Sequence, residues 1–552
     1  MKRQNKQNLK KNMHNTYSYE GPMELGSVIA HQCGAVGLFS SKDNPDFIIY
    51  VSDIRESGSS PYVQGLFPIE YRQNESTPSV LVQFGDIISE LEADTDGTQL
   101  IVQLFCHTRV QEELLETGIQ RPSELYADYL HIWSISGKDT VEGRKLIGRE
   151  VLSKLRRILG VRTSLWGTLV GVRPTKLTHK LWDSLGDLEK VRQELESIHS
   201  ISHVKWKLLE QVAVLERPYV AHVQQSPKEI SLYSGIPFCE THCTYCSFPY
   251  GLIQNYGKIQ DFVDVYHRDI EHLKRLVKTY GLEVQSLYMG GGTPTSLGDG
   301  DFHHIVHALG DVIPKGREFT VEAGRPDSLN ANKVQSIVDA GVTRISLNPQ
   351  TMQDDLLRII GRGHSVAEFL SIYEYVESHT NCSINMDFIA GLPRQTVKSM
   401  EENVQYIEQL RPHNVTVHTL ALKKGSPLYG SSFAKEIPSE DMVQTMLDET
   451  HEALLQLGYI PYYMYRQQYM VGQMENIGYT LPNYESIYNI QMIEERQSIL
   501  SIGPGSVSKW IDGADFRQQK QYMPKDVDTY IQDIQRLLEK RTLLSNKHWR
   551  DS

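Results

Sequence analysis

The stretch SGIPFCETHCTYCSFPY, residues 234–250, holds three of the six cysteines within eight residues, as Cys239-x3-Cys243-x2-Cys246. Three chemistries compete for it. Cys243 and Cys246 form a Cys-x-x-Cys pair of the disulfide-exchange kind, but that leaves Cys239 idle and no thioredoxin-sized unit surrounds the pair. A structural zinc needs four tetrahedral ligands; His242 as the fourth abuts Cys243, whereas such ligands usually come as two separated pairs. An iron–sulfur cube reads better. Three thiolates hold three irons of a [4Fe–4S] cluster and leave the fourth open to a small chelator, which is the open-coordination logic of catalytic metal sites. S-adenosylmethionine (SAM) is the best-matched occupant, through its amine and carboxylate. An electron from the reduced cluster then cleaves the sulfonium and yields a 5′-deoxyadenosyl radical.

Outward from this stretch the chain keeps a regular rhythm. ISLYSG (230–235) precedes it. SLYMGGG (286–292), FTVEAG (319–324), RISLNPQ (344–350), INMDFIAGLP (384–393) and VTVHTLAL (415–422) follow. Between the first two, Ile259, Phe262, Val263, Tyr266, Ile270, Leu273, Val277 and Tyr280 recur at three and four residues, which predicts an amphipathic helix. Strand–helix alternation implies a parallel sheet. Six strands are fewer than the eight that close a full barrel, so an open, partial barrel is expected, with its site at the polar or glycine-rich strand C-termini.

At 552 residues the chain exceeds a single ordinary core, and its composition (40% hydrophobic, 22% charged) is that of a soluble globular protein. The net charge of −12 argues against nucleic acid as the main partner. No apolar run approaches the ~18 residues of a membrane span. The start, MKRQNKQNLKKNMHN, reads as a disordered basic tail over 1–19, and six cysteines without an export signal point to a reducing cytoplasm. Residues 20–225 read as an N-terminal α+β accessory domain. It has strand signals at 46–51, 79–84 and 99–105, a helix over 141–159, and a loop, WGTLVGVRPTKL, at 166–177. Polar QQSPKE (224–229) marks the boundary to a barrel domain over 226–435. A mainly helical substrate-covering domain is expected over 436–552, and in it the Tyr- and Met-rich run at 461–479 is either core or an aromatic wall. His303, His304 and His307 lack a carboxylate to complete a zinc motif and read as a solvated helix face; Cys33, Cys106 and Cys382 read as buried structural thiols.

The motifs around the cysteines narrow the chemistry. YxxIPFC at 233–239, GGGTPT at 290–295, the strand bearing Glu322, NPQ…IGRGH at 348–364 and DFIAGLPRQT at 387–396 resemble the radical SAM superfamily. Within it they resemble the oxygen-independent coproporphyrinogen III oxidase family, and the YRQQYMVGQMENIGY run and the region ahead of the barrel resemble its HemZ-type branch. The resemblance implies an α/β fold with a partial (β/α)6 radical SAM barrel. It implies that Cys239, Cys243 and Cys246 ligate one [4Fe–4S] cluster and that two SAM molecules bind. Tyr233, Gly291, Glu322 and Val507 match contacts to the first SAM; Tyr245, Gly292, Thr293, Gln350, Arg362, Asp387 and Ala421 match contacts to the second. The radical forms on SAM, so no catalytic side chain is designated. The implied reaction is oxidative decarboxylation of coproporphyrinogen III propionates to vinyls, giving protoporphyrinogen IX, with a low-potential donor such as a flavodoxin or ferredoxin. Arg394, Lys423, Lys424 and Arg466, with Tyr462, Tyr463, Tyr465 and Tyr469, are candidates to meet the tetrapyrrole's carboxylates and rings. Two positions depart from the pattern of the decarboxylases: Gly235 stands where they usually carry His, and Phe248 where they carry a fourth Cys. Relatives that bind haem share the aromatic residue, so a haem-binding or haem-delivery protein with a SAM-bound cluster and no decarboxylase activity is the alternative.

Overall fold

The computed structural model describes residues 16–20, 39–40, 47–53, 99–106, 134–136, 165–167, 169, 173–223, 226–248, 251–467, 470–512 and 516–550. Contacts divide the chain into two units, Met1–Val170 with Glu189–Trp206, and Gly171–Leu188 with Lys207–Ser552. The first unit carries a five-stranded sheet of β1 (Thr16–Glu20), β2 (Phe39–Ser40), β3 (Phe47–Asp53), β4 (Gln99–Cys106) and β5 (Ser134–Ser136), in the order β2-β1-β3-β4-β5. β3 and β4 fall on the expected runs at 46–51 and 99–105 and pair antiparallel. The expected tail, the run at 79–84, the helix at 141–159 and Cys33 lie outside the described residues.

The second unit is built on an eleven-stranded sheet. Its centre is six parallel strands, each on one of the six expected runs: β6 (Glu229–Ile236), β9 (Glu283–Gly291), β10 (Glu318–Glu322), β11 (Arg344–Ser346), β12 (Ser383–Ala390) and β13 (Asn414–Thr419). Between β6 and β9 lies a short parallel pair, β7 (Phe238–Cys239) with β8 (Gly251–Leu252), that brackets the cysteine loop. Alternation at period two gives each strand two chemistries. Phe319 and Val321, Ile384 and Met386, and Val415 and Val417 are buried apolar residues on one face. The other face carries Tyr233, Tyr288, Glu322, Ser346, Asn385, Asp387 and Thr416, joined across strands by hydrogen bonds from Asn385 Nδ2 to Ser346 (2.7 Å) and from Thr416 to Asn385 Oδ1 (3.3 Å).

Helices between the strands end where their sequences stop them. Ile259–Tyr280 buries Phe262, Val263, Tyr266, Ile270, Leu273 and Leu276 and terminates on Gly281 in the left-handed region, at φ 60°. Val366–His379 opens with a Ser365/Glu368 capping box. The expected loop at 166–177 is corrected at its end: a helix, Pro174–Leu185, begins at Pro174, whose fixed φ suits the first helical position.

After residue 436 the chain forms the helices Glu440–Gln456, Ile487–Glu494 and Val527–Trp549, and in addition five strands. β14 (Ile460–Tyr465) and β15 (Asn476–Thr480) extend the sheet antiparallel beyond β13; β16 (Ser498–Ile502) pairs parallel with β6, and β17 (Val507–Asp512) and β18 (Arg517–Tyr522) follow it. The last helix is held by a buried charge. Asp269 accepts from Arg541 Nη1 (2.6 Å), the Tyr530 hydroxyl (2.7 Å) and Gly503 N (3.2 Å), so both lone-pair-rich oxygens are satisfied away from water.

Candidate active site

The cysteine loop leaves β6 and returns against the end of β9. Gly292 N donates to Ile236 O and Thr293 N to Phe238 O, both at 2.7 Å. This backbone-to-backbone approach explains the glycines: a Cβ on Gly292 would stand 2.3 Å from Phe238 O and 3.1 Å from Cys239 Sγ, and Gly291 has φ 109°, open to glycine alone without strain. The three thiols are free and half-buried. Thr293 Oγ1 reaches Cys239 Sγ at 3.6 Å, and Arg325 Nη1 donates to Cys243 Sγ at 3.5 Å. Burial pushes the Cys239 thiol up to about 11, against the Thr293 hydrogen bond.

Beside the loop, β6, β9 and β10 assemble an aromatic and acidic corner. Tyr233 and Tyr288 are in register on neighbouring strands, and Tyr488 joins them from the helix Ile487–Glu494; ring centroids are 4.6 Å apart for Tyr288–Tyr488 and 6.2 Å for Tyr233–Tyr488. The Tyr288 hydroxyl donates to Glu322 Oε1 at 2.5 Å. Burial pushes the Glu322 carboxyl up to about 7, against the Tyr288 hydrogen bond.

A second polar corner lies across β12 and β13. Gln350 N donates to Asp387 O (2.9 Å) from a left-handed backbone, φ 69°, and its Oε1 is buried without a partner. Elsewhere, past the end of β10, Arg362 donates from Nη1 to Gly324 O (2.8 Å) and from Nη2 to the Tyr245 hydroxyl of the cysteine loop (3.2 Å), while its Nε is buried and unpartnered. Burial pushes the Asp387 carboxyl up, yet His418, whose Nε2 is 3.6 Å from it, and the Asn385 amide at 2.8 Å outweigh that and hold it low. Orphaned polar atoms on buried side chains are what a polar ligand would satisfy.

Glu322 and Asp387 thus share one face of the sheet, Arg362 meets Tyr245, Ala421 is bridged to Met470 just past β13, and Val507 stands at the start of β17. Tyr288, Tyr488, Arg325 and His418 were missed by sequence reasoning; only Tyr288 and His418 carried a signal, as strand residues three positions before Gly291 and Ala421. The residues proposed to meet a tetrapyrrole are dispersed. Tyr462 packs in a buried cluster with Val220, Tyr463 and Ile490, and Arg394 is exposed and paired with Glu436. The Tyr465 hydroxyl does lie 3.4 Å from His418 Nδ1, and Lys423 sits 6.0 Å over the Phe248 ring; Tyr469 is outside the described residues. His303 and His304 are exposed on the helix Asp299–Gly310 as expected, whereas His307, one turn on, is half-buried with its Nε2 shielded from solvent; buried Cys382 donates to Val342 O.

Residues 233–407 match the model of the radical SAM superfamily. The HemZ protein of Bacillus subtilis (strain 168), an oxygen-independent coproporphyrinogen-III oxidase-like protein, is 34% identical over 429 residues, which are 77% of this chain and 85% of that protein. The heme chaperone HemW of the same organism is 31% identical over 202 residues, 36% of this chain and 52% of HemW. The structure of coproporphyrinogen III oxidase (HemN) from Escherichia coli, a radical SAM enzyme, superposes with a TM-score of 0.45 at 21% identity, over 59% of this chain and 72% of HemN. The chain belongs to the oxygen-independent coproporphyrinogen III oxidase-like family of radical SAM proteins, in its HemZ-type branch. Membership implies a [4Fe–4S] cluster and SAM. No helix among the described residues is long and apolar enough to cross a membrane.

Proposed function

We propose that the protein decarboxylates coproporphyrinogen III propionates to vinyl groups, using one [4Fe–4S] cluster and two SAM molecules. Bound together, cluster and SAM supply one-electron cleavage of a sulfonium and so a means of taking hydrogen from an unactivated carbon. The chain's own residues do the holding. Cys239, Cys243 and Cys246 ligate iron, and Arg325 balances the charge of Cys243. Tyr233, Gly291, Glu322 and Val507 receive the SAM nearest the cluster, with Glu322 accepting from an ammonium or ribose hydroxyl once ionised. Tyr245, Gly292, Thr293, Gln350, Arg362, Asp387 and Ala421 receive the second, where the Arg362 guanidinium suits a carboxylate. Residues 20–225 serve as an accessory domain, residues 226–435 as the barrel, and residues 436–552 cover the substrate. A flavodoxin or ferredoxin delivers the electrons, in a reducing cytoplasm. The observation that carries this reading is the pair of carboxylates, Glu322 and Asp387, on one face of the sheet whose strand β6 leads into the cysteine loop.

A second reading, haem binding without decarboxylation, draws on the loop itself. Phe248 is 58% exposed beside the third cysteine, and Gly235 has little room for a side chain: its Cβ would meet Tyr233 Cε1 at 3.1 Å and the Ile502 and Pro504 carbonyls at 3.6 Å. Anaerobic incubation of the reconstituted protein with SAM, reductant and coproporphyrinogen III separates the two. Protoporphyrinogen IX among the products establishes the first reading; SAM cleavage without it, together with stoichiometric haem binding, establishes the second.

A further inference from the structure

Away from the cysteines, three elements of the second unit converge on a buried acidic pocket. His179 comes from the helix Pro174–Leu185, Glu216 from the helix His203–Val220, and Glu494 is the last residue of the helix Ile487–Glu494. All three side chains are fully buried. His179 Nε2 lies 2.9 Å from Glu216 Oε2 and 4.0 Å from Glu494 Oε2. Among the described residues, this is the one trio of His, Cys, Asp or Glu whose ligand atoms all fall within 4.8 Å of one another.

We propose that His179, Glu216 and Glu494 bind a divalent first-row metal ion, best suited to zinc, that braces the helix carrying Tyr488. An ion bonded at about 2.0–2.2 Å to each ligand sets its donors roughly 3–4 Å apart, close to the 2.9 and 4.0 Å separations of His179 Nε2 from the two carboxylates. One imidazole nitrogen with two carboxylate oxygens suits zinc, and the same set accepts manganese or ferrous iron. Two donor atoms point inward without partners: Glu216 Oε1 and Glu494 Oε2 are buried and accept no hydrogen bond. Thr175 donates to the other Glu494 oxygen at 2.5 Å, an outer contact that orients a ligand.

The neighbouring cations are engaged elsewhere. Arg217 and Arg496 both pair with Asp183, at 2.7 and 2.6 Å, and Arg173, Lys176 and Lys509 pair with Glu495 at 2.6–2.8 Å. Burial, with Glu494 alongside, pushes Glu216 well up and burial pushes Glu494 to about 7; burial lowers His179 to about 3, and Arg496 and Arg217 act in the same direction.

The ion has a job at a distance. Glu494 ends the helix whose Tyr488 stacks on Tyr288 and Tyr233, so fixing Glu494 to helices that precede the barrel fixes one wall of the candidate active site.

The test is anaerobic equilibrium dialysis of the cluster-loaded full chain against zinc ions, with zinc counted per chain beside iron. The cluster occupies the three thiols and keeps them from competing. One zinc per chain is expected, weakened at least about tenfold in Glu216→Gln and in Glu494→Gln and unchanged in His303→Gln, which probes the surface histidines as an adventitious site. Absence of stoichiometric zinc, or zinc lost with His303→Gln and retained in Glu216→Gln, overturns the proposal. Should either carboxylate variant fail to fold, the wild-type chain decides: saturating zinc raises its Tm by several degrees if the ion binds the native state, and an unchanged Tm overturns the proposal.

Discussion

Gly292→Ala should cost the protein its cluster geometry while leaving its fold. The added Cβ would stand 2.3 Å from Phe238 O, against an ordinary contact of 3.4 Å or more, and 3.1 Å from Cys239 Sγ. Neither neighbour is a flexible side-chain end: one is backbone, the other an expected iron ligand. Relief requires the GGGT and IPFC segments to part by about 1 Å, which stretches the bonds from Gly292 N to Ile236 O and from Thr293 N to Phe238 O past the hydrogen-bonding limit. At about 0.5–1.5 kcal/mol each, their loss destabilises the chain by about 1–3 kcal/mol, well short of unfolding a protein of this size. The same displacement carries Cys239 with it, and a 1 Å error at reacting groups costs about a hundredfold in rate. The assay is anaerobic reconstitution followed by iron and sulfide per chain, denaturant unfolding, and the rate of 5′-deoxyadenosine release from SAM. Gly300→Ala is the control. It lies in the helix Asp299–Gly310 with nothing within 4 Å of its Cβ, so alanine there should be neutral or stabilising by up to about 1 kcal/mol. Full iron content and an unchanged SAM-cleavage rate in Gly292→Ala would refute the reasoning.

Three further outcomes follow from buried charge. Glu322 is pushed up to about 7, far above its unfolded value of about 4.3, so its contribution to stability is present below pH 4.3 and lost as pH rises to 7. SAM affinity should move the opposite way, rising up to about tenfold per pH unit below 7 and levelling above it. Equilibrium dialysis across that range should show the midpoint moving to higher pH in Tyr288→Phe, which loses the donor to the carboxylate, and a flat profile in Glu322→Gln. Arg344→Met breaks a pair with Glu318 at 3.0 Å in which both side chains are 8% exposed, and denaturant titration should record a loss of about 3–5 kcal/mol. A fragment beginning at residue 226 removes Thr175, His179 and Lys176 from Glu494 and Glu495, so its Tm should fall well below that of a fragment beginning at residue 171; equal Tm values would contradict the assignment of these helices to the barrel unit.

The six central strands were legible because each alternates apolar residues with polar ones, and the polar set is the one that reaches the candidate site. The strands after 436 were not. β14 is an unbroken aromatic and methionine run from Tyr462 to Tyr465, with no period to read, and β18, RQQKQY, is an edge strand of polar residues exposed at four of its six positions, which removes the hydrophobic signal. At the site, Cys239, Gly292, Glu322 and Asp387 announce themselves by motif and by lying at strand ends. Tyr488 and Arg325 do not, since their roles arise only from contacts across the fold: Tyr488 lies 255 residues after Tyr233, and Arg325 is 82 residues from Cys243.

Tyr488 also shows why the site depends on chain outside the barrel. Its helix is short, eight residues, and by itself would be marginal in water. It is pinned at its start by Glu318 of β10, which accepts from Ile487 N (2.6 Å), Tyr488 N (3.1 Å) and Ser486 Oγ (2.8 Å) and sets negative charge on the positive end of the helix. Arg344 holds that carboxylate from β11. Along its length Asn489 donates to the Tyr462 hydroxyl at 3.0 Å, which gives the buried Tyr462 a structural task in place of a tetrapyrrole contact. At its end Glu494 meets Thr175 and His179, residues that precede the first barrel strand. The aromatic stack over Glu322 therefore stands only while β10, β11, β14 and the helix Pro174–Leu185 are all in place. A polar, acidic corner built from such separated parts is rigid without any one local motif encoding it, which suits a site that must exclude water around a reactive cofactor.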